Sequence, residues 1–266
     1  MVWQADRTRA DQNQPGWNVH VSSKLASQAR RRFLGRIGAT AIAGLAPGLH
    51  LIAVSQAAPV KRGASTRTRW GMLIDSSRCA RDCDACVAAC QDEHGLKKEK
   101  IGNTDAQWIG KVSLTDGLTK REITLPLMCQ HCANPPCVDV CPTGASFKRA
   151  DGIVLVDKHR CIGCRYCMMA CPFNARSFIH ESISDQKTHA PRGKGTVESC
   201  TLCVHRVDSG ITPACVEACG GSGKGAMLFG DLNDPGSAIS IALRTDANRA
   251  MRADLNLDAA IRYRGV

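Results

Sequence analysis

Sixteen cysteines fall into four groups of four with none left over: Cys79, Cys83, Cys86, Cys90; then Cys129, Cys132, Cys137, Cys141; then Cys161, Cys164, Cys167, Cys171; then Cys200, Cys203, Cys215, Cys219. Thiols so closely spaced are metal ligands or disulfide partners, and the spacing separates these cases. The third group reads Cys161-Ile-Gly-Cys164-Arg-Tyr-Cys167-Met-Met-Ala-Cys171-Pro172, the C-x2-C-x2-C-x3-C-P run that binds 4Fe-4S clusters. Three thiolates within seven residues can wrap one cubane as a loop, while the fourth, at the start of the next helix, points toward a second cluster. The other groups widen one gap: three residues stand between Cys79 and Cys83, four between Cys132 and Cys137, and eleven between Cys203 and Cys215. All keep the final C-x3-C step, close to one helical turn, and extra loop residues cost little when the ligands still converge. Eight disulfides or four zinc sites are arithmetically open. Neither calls for a third cysteine at C-x2-C-x2-C, so iron-sulfur chemistry is the expectation.

The elements that must position these thiols repeat as well. Met72-Leu73-Ile74-Asp75-Ser76-Ser77-Arg78-Cys79 and Val154-Leu155-Val156-Asp157-Lys158-His159-Arg160-Cys161 share an apolar run, an Asp, two residues and Arg-Cys, offset by 82 residues. Short apolar segments follow the last cysteines: Ala145-Ser146-Phe147, Ala175-Arg176-Ser177-Phe178 and Ala226-Met227-Leu228-Phe229. The unit reads as strand, cluster loop, short helix, strand. The expected class is therefore α+β: two pseudo-symmetric, bacterial-ferredoxin-like, two-cluster modules with short helices, small antiparallel sheets and long loops. They occupy residues 58–235, with the outer groups at 79–90 and 200–219 wrapping the inner groups at 129–171. The stretch 236–266, apolar residues among Arg and Asp, has helical patterning and reads as a tail packed on a partner or on its own core.

Residues 1–57 read as a targeting segment. Ala29-Arg30-Arg31-Arg32-Phe33-Leu34-Gly35 precedes a mild apolar run from Ile37 to Val54, broken by Gly38, Gly44, Pro47, Gly48 and His50, and Ser55-Gln56-Ala57 supplies a small-x-small cleavage pattern. This resembles a twin-arginine signal cut after Ala57 or Ala58, the alternative being a retained anchor or amphipathic helix. That route carries folded proteins, which suits a cofactor loaded before export to the periplasm and gives disulfides no advantage. No apolar run long enough to span a bilayer follows residue 60.

Charge and composition narrow the function. Lys plus Arg number 35 against 24 Asp plus Glu, or +11, but residues 1–57 carry 7 against 2 of these. The remainder has neither a basic block nor an aromatic platform, so no nucleic-acid partner is expected. Sixteen thiolates and four oxidised cubane cores would bring the mature charge to about −2. Aromatics make up 4% of the chain, beside 24 Gly and 11 Pro, so apolar burial needs help from the cysteines. Gly220-Gly-Ser-Gly-Lys-Gly225 lacks the order of a phosphate loop and reads as a turn.

Cys137-Val-Asp-Val-Cys141-Pro-Thr-Gly144, Asp151-Gly-Ile-Val-Leu-Val-Asp157, Cys200-Thr-Leu-Cys203 and Phe229-Gly-Asp-Leu-Asn-Asp-Pro235 resemble the four-cluster iron-sulfur subunits of the DMSO-reductase and polysulfide-reductase type, over roughly residues 69 to 235. The widened Cys79 to Cys83 gap, Cys129-Gln-His-Cys132-Ala-Asn-Pro-Pro-Cys137 and Pro191-Arg-Gly-Lys-Gly-Thr-Val-Glu-Ser-Cys200 are most similar to the O-subunit branch of the sulfite-reductase-associated Dsr membrane complexes. The resemblance implies one cluster on Cys79, Cys83, Cys86 and Cys219, and a second on Cys90, Cys200, Cys203 and Cys215. It implies a third on Cys129, Cys132, Cys137 and Cys171, and a fourth on Cys141, Cys161, Cys164 and Cys167. The added residue before Cys83, and Gly220 where many relatives have Pro, depart from the family pattern.

The implied activity is one-electron transfer through four 4Fe-4S clusters without substrate chemistry, since all four groups are complete. The implied partners are an integral membrane quinone-reacting subunit of the polysulfide-reductase type and a multihaem cytochrome c. The alternative is service to another respiratory complex, beside a molybdoenzyme, hydrogenase or nitrite reductase. Arg78, Arg160, Arg165 and Arg206 are candidates for raising cluster potentials, with ordinary surface charge the favoured reading of each. His131 is a cluster neighbour or a partner contact, the favoured reading being a satisfied histidine at the surface or just behind the ligands.

Overall fold

The computed structural model describes residues 63–96, 105–184, 186–222 and 224–266. The twin-arginine signal expected over residues 1–57 lies outside them. Strand β1 (Trp70–Asp75) ends in Asp75, whose carboxylate accepts hydrogen bonds from the Ser77 backbone N–H (3.0 Å) and hydroxyl (2.5 Å), starting a single 3-10 turn that delivers Cys79. Helix α1 (Ala85–His94) follows and stops at Gly95, which takes the left-handed φ of 63°. Next comes the hairpin of β2 (Ile109–Thr115) and β3 (Glu122–Met128), its turn held by the Asp116 carboxylate accepting from the Leu118 and Thr119 N–H groups at 2.8 Å. Nothing in the cysteine spacing calls for this hairpin.

Short helix α2 (Pro136–Asp139), strands β4 (Ser146–Lys148) and β5 (Val154–Val156), and short helix α3 (Tyr166–Met169) carry the second and third cysteine groups. Strands β6 (Ser177–Phe178) and β7 (Val197–Glu198) pair before α4 (Val204–Val207) and α5 (Ala214–Gly221) carry the fourth. Strands β4, β6 and β8 (Met227–Asp231) overlap the three apolar segments expected after Cys141, Cys171 and Cys219. The mixture of short helices and small sheets is the α+β class expected from sequence.

The C-terminal stretch differs from the expected helical tail. Helix α6 (Ala238–Thr245), capped by the Ser237 hydroxyl accepting from the Ser240 N–H, accounts for only its first part. Strand β9 (Ile261–Arg264) then returns to pair parallel with β1, opposite the antiparallel β8, in the sheet order β8-β1-β9. Ile261-Arg-Tyr263-Arg alternates apolar and charged residues with the period of a strand, and Ile261 and Tyr263 are fully buried. The Tyr263 hydroxyl donates to Pro126 O (3.2 Å) and accepts from Gln130 Nε2 (3.1 Å), while Arg264 pairs with Asp75 at 2.5 Å. The end of the chain thereby closes over the segment leading into Cys129. No helix among the described residues is long and apolar enough to cross a membrane.

Candidate metal centres

A spacing of four aligns Cys86 and Cys90 along one buried face of α1 and Cys215 and Cys219 along one of α5, and the two helices pack together. Cys79, Cys83, Cys86 and Cys219 converge on one cavity, closed by Ile74, Pro126 and Met227. The charges of Cys203 and Cys215 bear on Cys90, and those of Cys90, Cys203 and Cys215 on Cys200, forming a second set. Cys137 and Cys171 bear on both Cys129 and Cys132. Cys161 and Cys141 bear on Cys167, while Cys164, on the same loop, is the exposed member of the sixteen. Exposed Ile162, Tyr166 and Met169 surround that loop. No two of the sixteen cysteines form a disulfide.

Three of the four loops share one backbone device. In the first C-x2-C step of each of these loops the second intervening residue is left-handed: His131 at φ 42°, Gly163 at 73° and Leu202 at 53°. Only glycine takes that conformation without a Cβ penalty. At Gly163 it is also sterically required, because a Cβ would lie 2.2 Å from Gly195 O. The widened Cys79 to Cys83 loop has no such residue and is clamped from outside. Lys111 on β2 donates to Ala80 O (3.1 Å), Arg81 O (2.8 Å) and Cys83 O (2.8 Å) and pairs with Asp84 at 3.2 Å.

Donors already face the sulfurs. Backbone N–H groups donate from Ala226 to Cys219 Sγ (3.1 Å), Ser146 to Cys141 (3.3 Å), Val197 to Cys161 (3.4 Å) and Leu202 to Cys200 (3.4 Å). Arg176 Nη2 donates to Cys137 Sγ at 3.0 Å and to Ser146 Oγ at 2.9 Å. Arg176 is 4% exposed, and its Nε and Nη1 have no partner. Burial alone would favour its neutral form, yet the Cys137, Cys129 and Cys167 charges hold its pKa above the ordinary value. A buried guanidinium with two unanswered donors among sulfurs requires anionic neighbours. Thiolates on an anionic iron-sulfur core satisfy that requirement, so the residues fit the cluster that the spacing implies.

Burial pushes the free thiols upward: Cys86 and Cys203 to about 11, Cys129 and Cys132 to about 12. These thiols are neutral at pH 7 unless a metal ionises them. Cys141 moves the other way, because hydrogen bonds from Ser146 and Thr143 outweigh its burial and lower its pKa.

The four arginines singled out from the sequence make contacts with backbone, ring and carboxylate groups. Arg78 lies against Gly225, Arg160 donates to Thr143 O (2.9 Å), Arg165 covers the Phe178 ring at 3.7 Å, and Arg206 pairs with Glu93 (3.0 Å) and Glu217. His131 is 1% exposed, which rules out surface or partner contact, and its Nδ1 accepts from the Val154 N–H on β5 (3.0 Å). In the sequence Arg176 reads only as part of an apolar segment. His94 also escapes the motif reading: its Nε2 lies 3.3 Å from Cys203 Sγ, and its one signal is the continued spacing of four after Cys86 and Cys90.

Residues 121–232 match the 4Fe-4S dicluster domain. The chain is 40% identical to the Hdr-like menaquinol oxidoreductase iron-sulfur subunit 1 of Archaeoglobus fulgidus, over 88% of this chain and 97% of that protein. It is 36% identical to the B-type subunit of tetrathionate reductase from Salmonella typhimurium, over 90% and 88% respectively. To the menaquinone reductase iron-sulfur cluster-binding subunit of Nitratidesulfovibrio vulgaris it is 32% identical, over 64% and 78%.

Proposed function

We propose, for a chain that belongs to the family of B-type iron-sulfur subunits of DMSO and tetrathionate reductases and of Hdr-like menaquinol oxidoreductases, that it conducts single electrons through four 4Fe-4S clusters. The ligand sets are Cys79, Cys83, Cys86, Cys219; Cys90, Cys200, Cys203, Cys215; Cys129, Cys132, Cys137, Cys171; and Cys141, Cys161, Cys164, Cys167. The observation that carries this reading is the unbroken order of the thiols. Cys86 bears on Cys90 and Cys215, linking the first set to the second. Cys129 bears on Cys200, linking the second to the third, and Cys167 bears on Cys137, linking the third to the fourth. The line runs from the cavity at Cys79 to exposed Cys164, two ends at which partners can exchange electrons. The clusters supply reversible one-electron redox chemistry. The chain's own residues bind them, exclude water and aim N–H donors at their sulfurs.

The reading extends to two pseudo-symmetric two-cluster modules, with the shared left-handed C-x2-C turns as support. It places the mature chain in the periplasm after twin-arginine export, between a membrane quinone-reacting subunit and a multihaem cytochrome c of a Dsr-type sulfur-metabolism complex. The menaquinol and menaquinone relatives support the quinone side. The tetrathionate reductase relative supports the second reading, service to a molybdoenzyme-type reductase.

The test is iron, zinc and acid-labile sulfide content with EPR during reductive titration of the anaerobically purified chain. About sixteen irons per chain, with spin-coupled cubane signals, are expected. Zinc in place of iron, or no metal, overturns the electron-transfer reading. The protein that co-purifies with the chain decides between the two complexes.

A further inference from the structure

His94, His189 and His205 come from three separate segments, the end of α1, the turn before Ala190 and α4, yet offer ligand nitrogens that all lie within 4.8 Å of one another. The rings touch: His94 meets His205 edge-on at 5.5 Å and His189 at 5.9 Å, and His189 stacks on His205 at 3.9 Å. His94 is 2% exposed, and its Nδ1 is buried without any hydrogen-bond partner. A buried polar atom left unanswered is uncommon and calls for a ligand.

The other two imidazoles are already oriented. His205 Nε2 donates to Glu93 Oε1 at 2.6 Å and His189 Nε2 donates to Glu93 O at 2.8 Å, which leaves each Nδ1 with a lone pair. A carboxylate or carbonyl holding the far N–H of a histidine is the usual outer support of a metal-bound imidazole. Glu93 provides both, and its Oε2 is held in turn by Arg206 at 3.0 Å.

We propose that His94, His189 and His205 bind one divalent cation of the zinc class, separate from the cysteine sets. Neutral imidazole nitrogens suit such borderline ions, and three of them leave a fourth position, on the side where His189 is 30% exposed. Metal–nitrogen bonds of about 2.0–2.1 Å put tetrahedral nitrogens roughly 3.4 Å apart, so the trio, now within 4.8 Å, closes on binding.

The consequence for electron transfer rests on the cluster reading above. His94 presents Nε2 to Cys203 Sγ at 3.3 Å. A cation on Nδ1 fixes the proton on Nε2, so that this nitrogen donates to the sulfur and places positive charge beside the set of Cys90, Cys200, Cys203 and Cys215. Occupancy then raises the potential of that set alone.

The test uses the full chain with its clusters intact, dialysed anaerobically against micromolar zinc, with zinc, iron and sulfide counted on one sample. One zinc beyond the iron content is expected. His189→Asn and His205→Gln should each weaken zinc retention about tenfold or more with iron unchanged. Zinc should move one EPR midpoint upward in the wild type and none in the variants. No excess zinc, or equal zinc in the variants, overturns the site, and bound zinc without a midpoint change overturns its coupling to Cys203. Low iron would instead count against the cluster reading, while the dependence of zinc on the histidines would still decide this one.

Discussion

Two buried side chains approach sulfur, one among the inner cysteine groups and one among the outer. On the inner side Arg176 donates to Cys137 at 3.0 Å, and on the outer side His94 stands 3.3 Å from Cys203. Arg176 is held charged by the negative charge that Cys137, Cys129 and Cys167 carry once a metal ionises them. His94 stays neutral because burial and the neighbouring His205 and His189 push its pKa down to about 3. Under the proposed ligand sets the inner two would feel a full positive charge and the set holding Cys203 a dipole. With clusters bound, identical cysteine ligands would acquire different affinities for an electron from residues that lie outside the ligand motifs.

Removing the charge should produce the largest effect. Arg176→Met is expected to cost about 3 kcal/mol of stability by chemical denaturation, since it strands buried anions. It should also lower the inner EPR midpoints by roughly 60 mV or more, the equivalent of a charge-assisted hydrogen bond in a one-electron step. An unchanged inner midpoint would abolish the contrast.

Lys111→Met comes next. It removes three bonds to the widened first loop, and a loss of about 2 kcal/mol is expected, with iron lost first from the Cys79, Cys83, Cys86 and Cys219 set. His94→Leu should cost about 1 kcal/mol and lower a single outer midpoint by less than Arg176→Met lowers the inner ones. Equal shifts in the two variants would show that charge is not what separates the sides.

The smallest expected effect is a pH dependence at the sheet on the outer side. Burial pushes the Asp75 carboxyl up, but hydrogen bonds from Ser77 and Arg264 outweigh it and hold the pKa below the ordinary 3.8. Its stabilisation is present above pH 3.8 and fades as pH falls through the depressed value. Asp75→Asn should cost about 1 kcal/mol at pH 7, and the gap to wild type should close in acid. A gap independent of pH would remove the Asp75–Arg264 pair from the account.

The strand, loop and short-helix order around each group is legible in the sequence because it follows from local spacing: Cys86 and Cys90 share a helix face, and Ser146, Ser177 and Met227 begin strands soon after a last cysteine. Strand β9 is not, because its arginines mimic a helix surface, although Ile261 and Tyr263 alternate with them. The β2–β3 hairpin carries no cysteine and so leaves no mark on the motifs.

By itself the sequence determined the thiol groups, the iron-sulfur chemistry their spacing implies and the family, because spacings of three or four positions restrict where a side chain can point. Only the tertiary structure decided what stands beside those thiols. Arg176 reaches Cys137 across 39 positions, His94 reaches Cys203 across 109, and Tyr263 reaches Pro126 across 137. Such neighbours are selected by long-range packing and by satisfying buried charge, and no spacing along the chain encodes them.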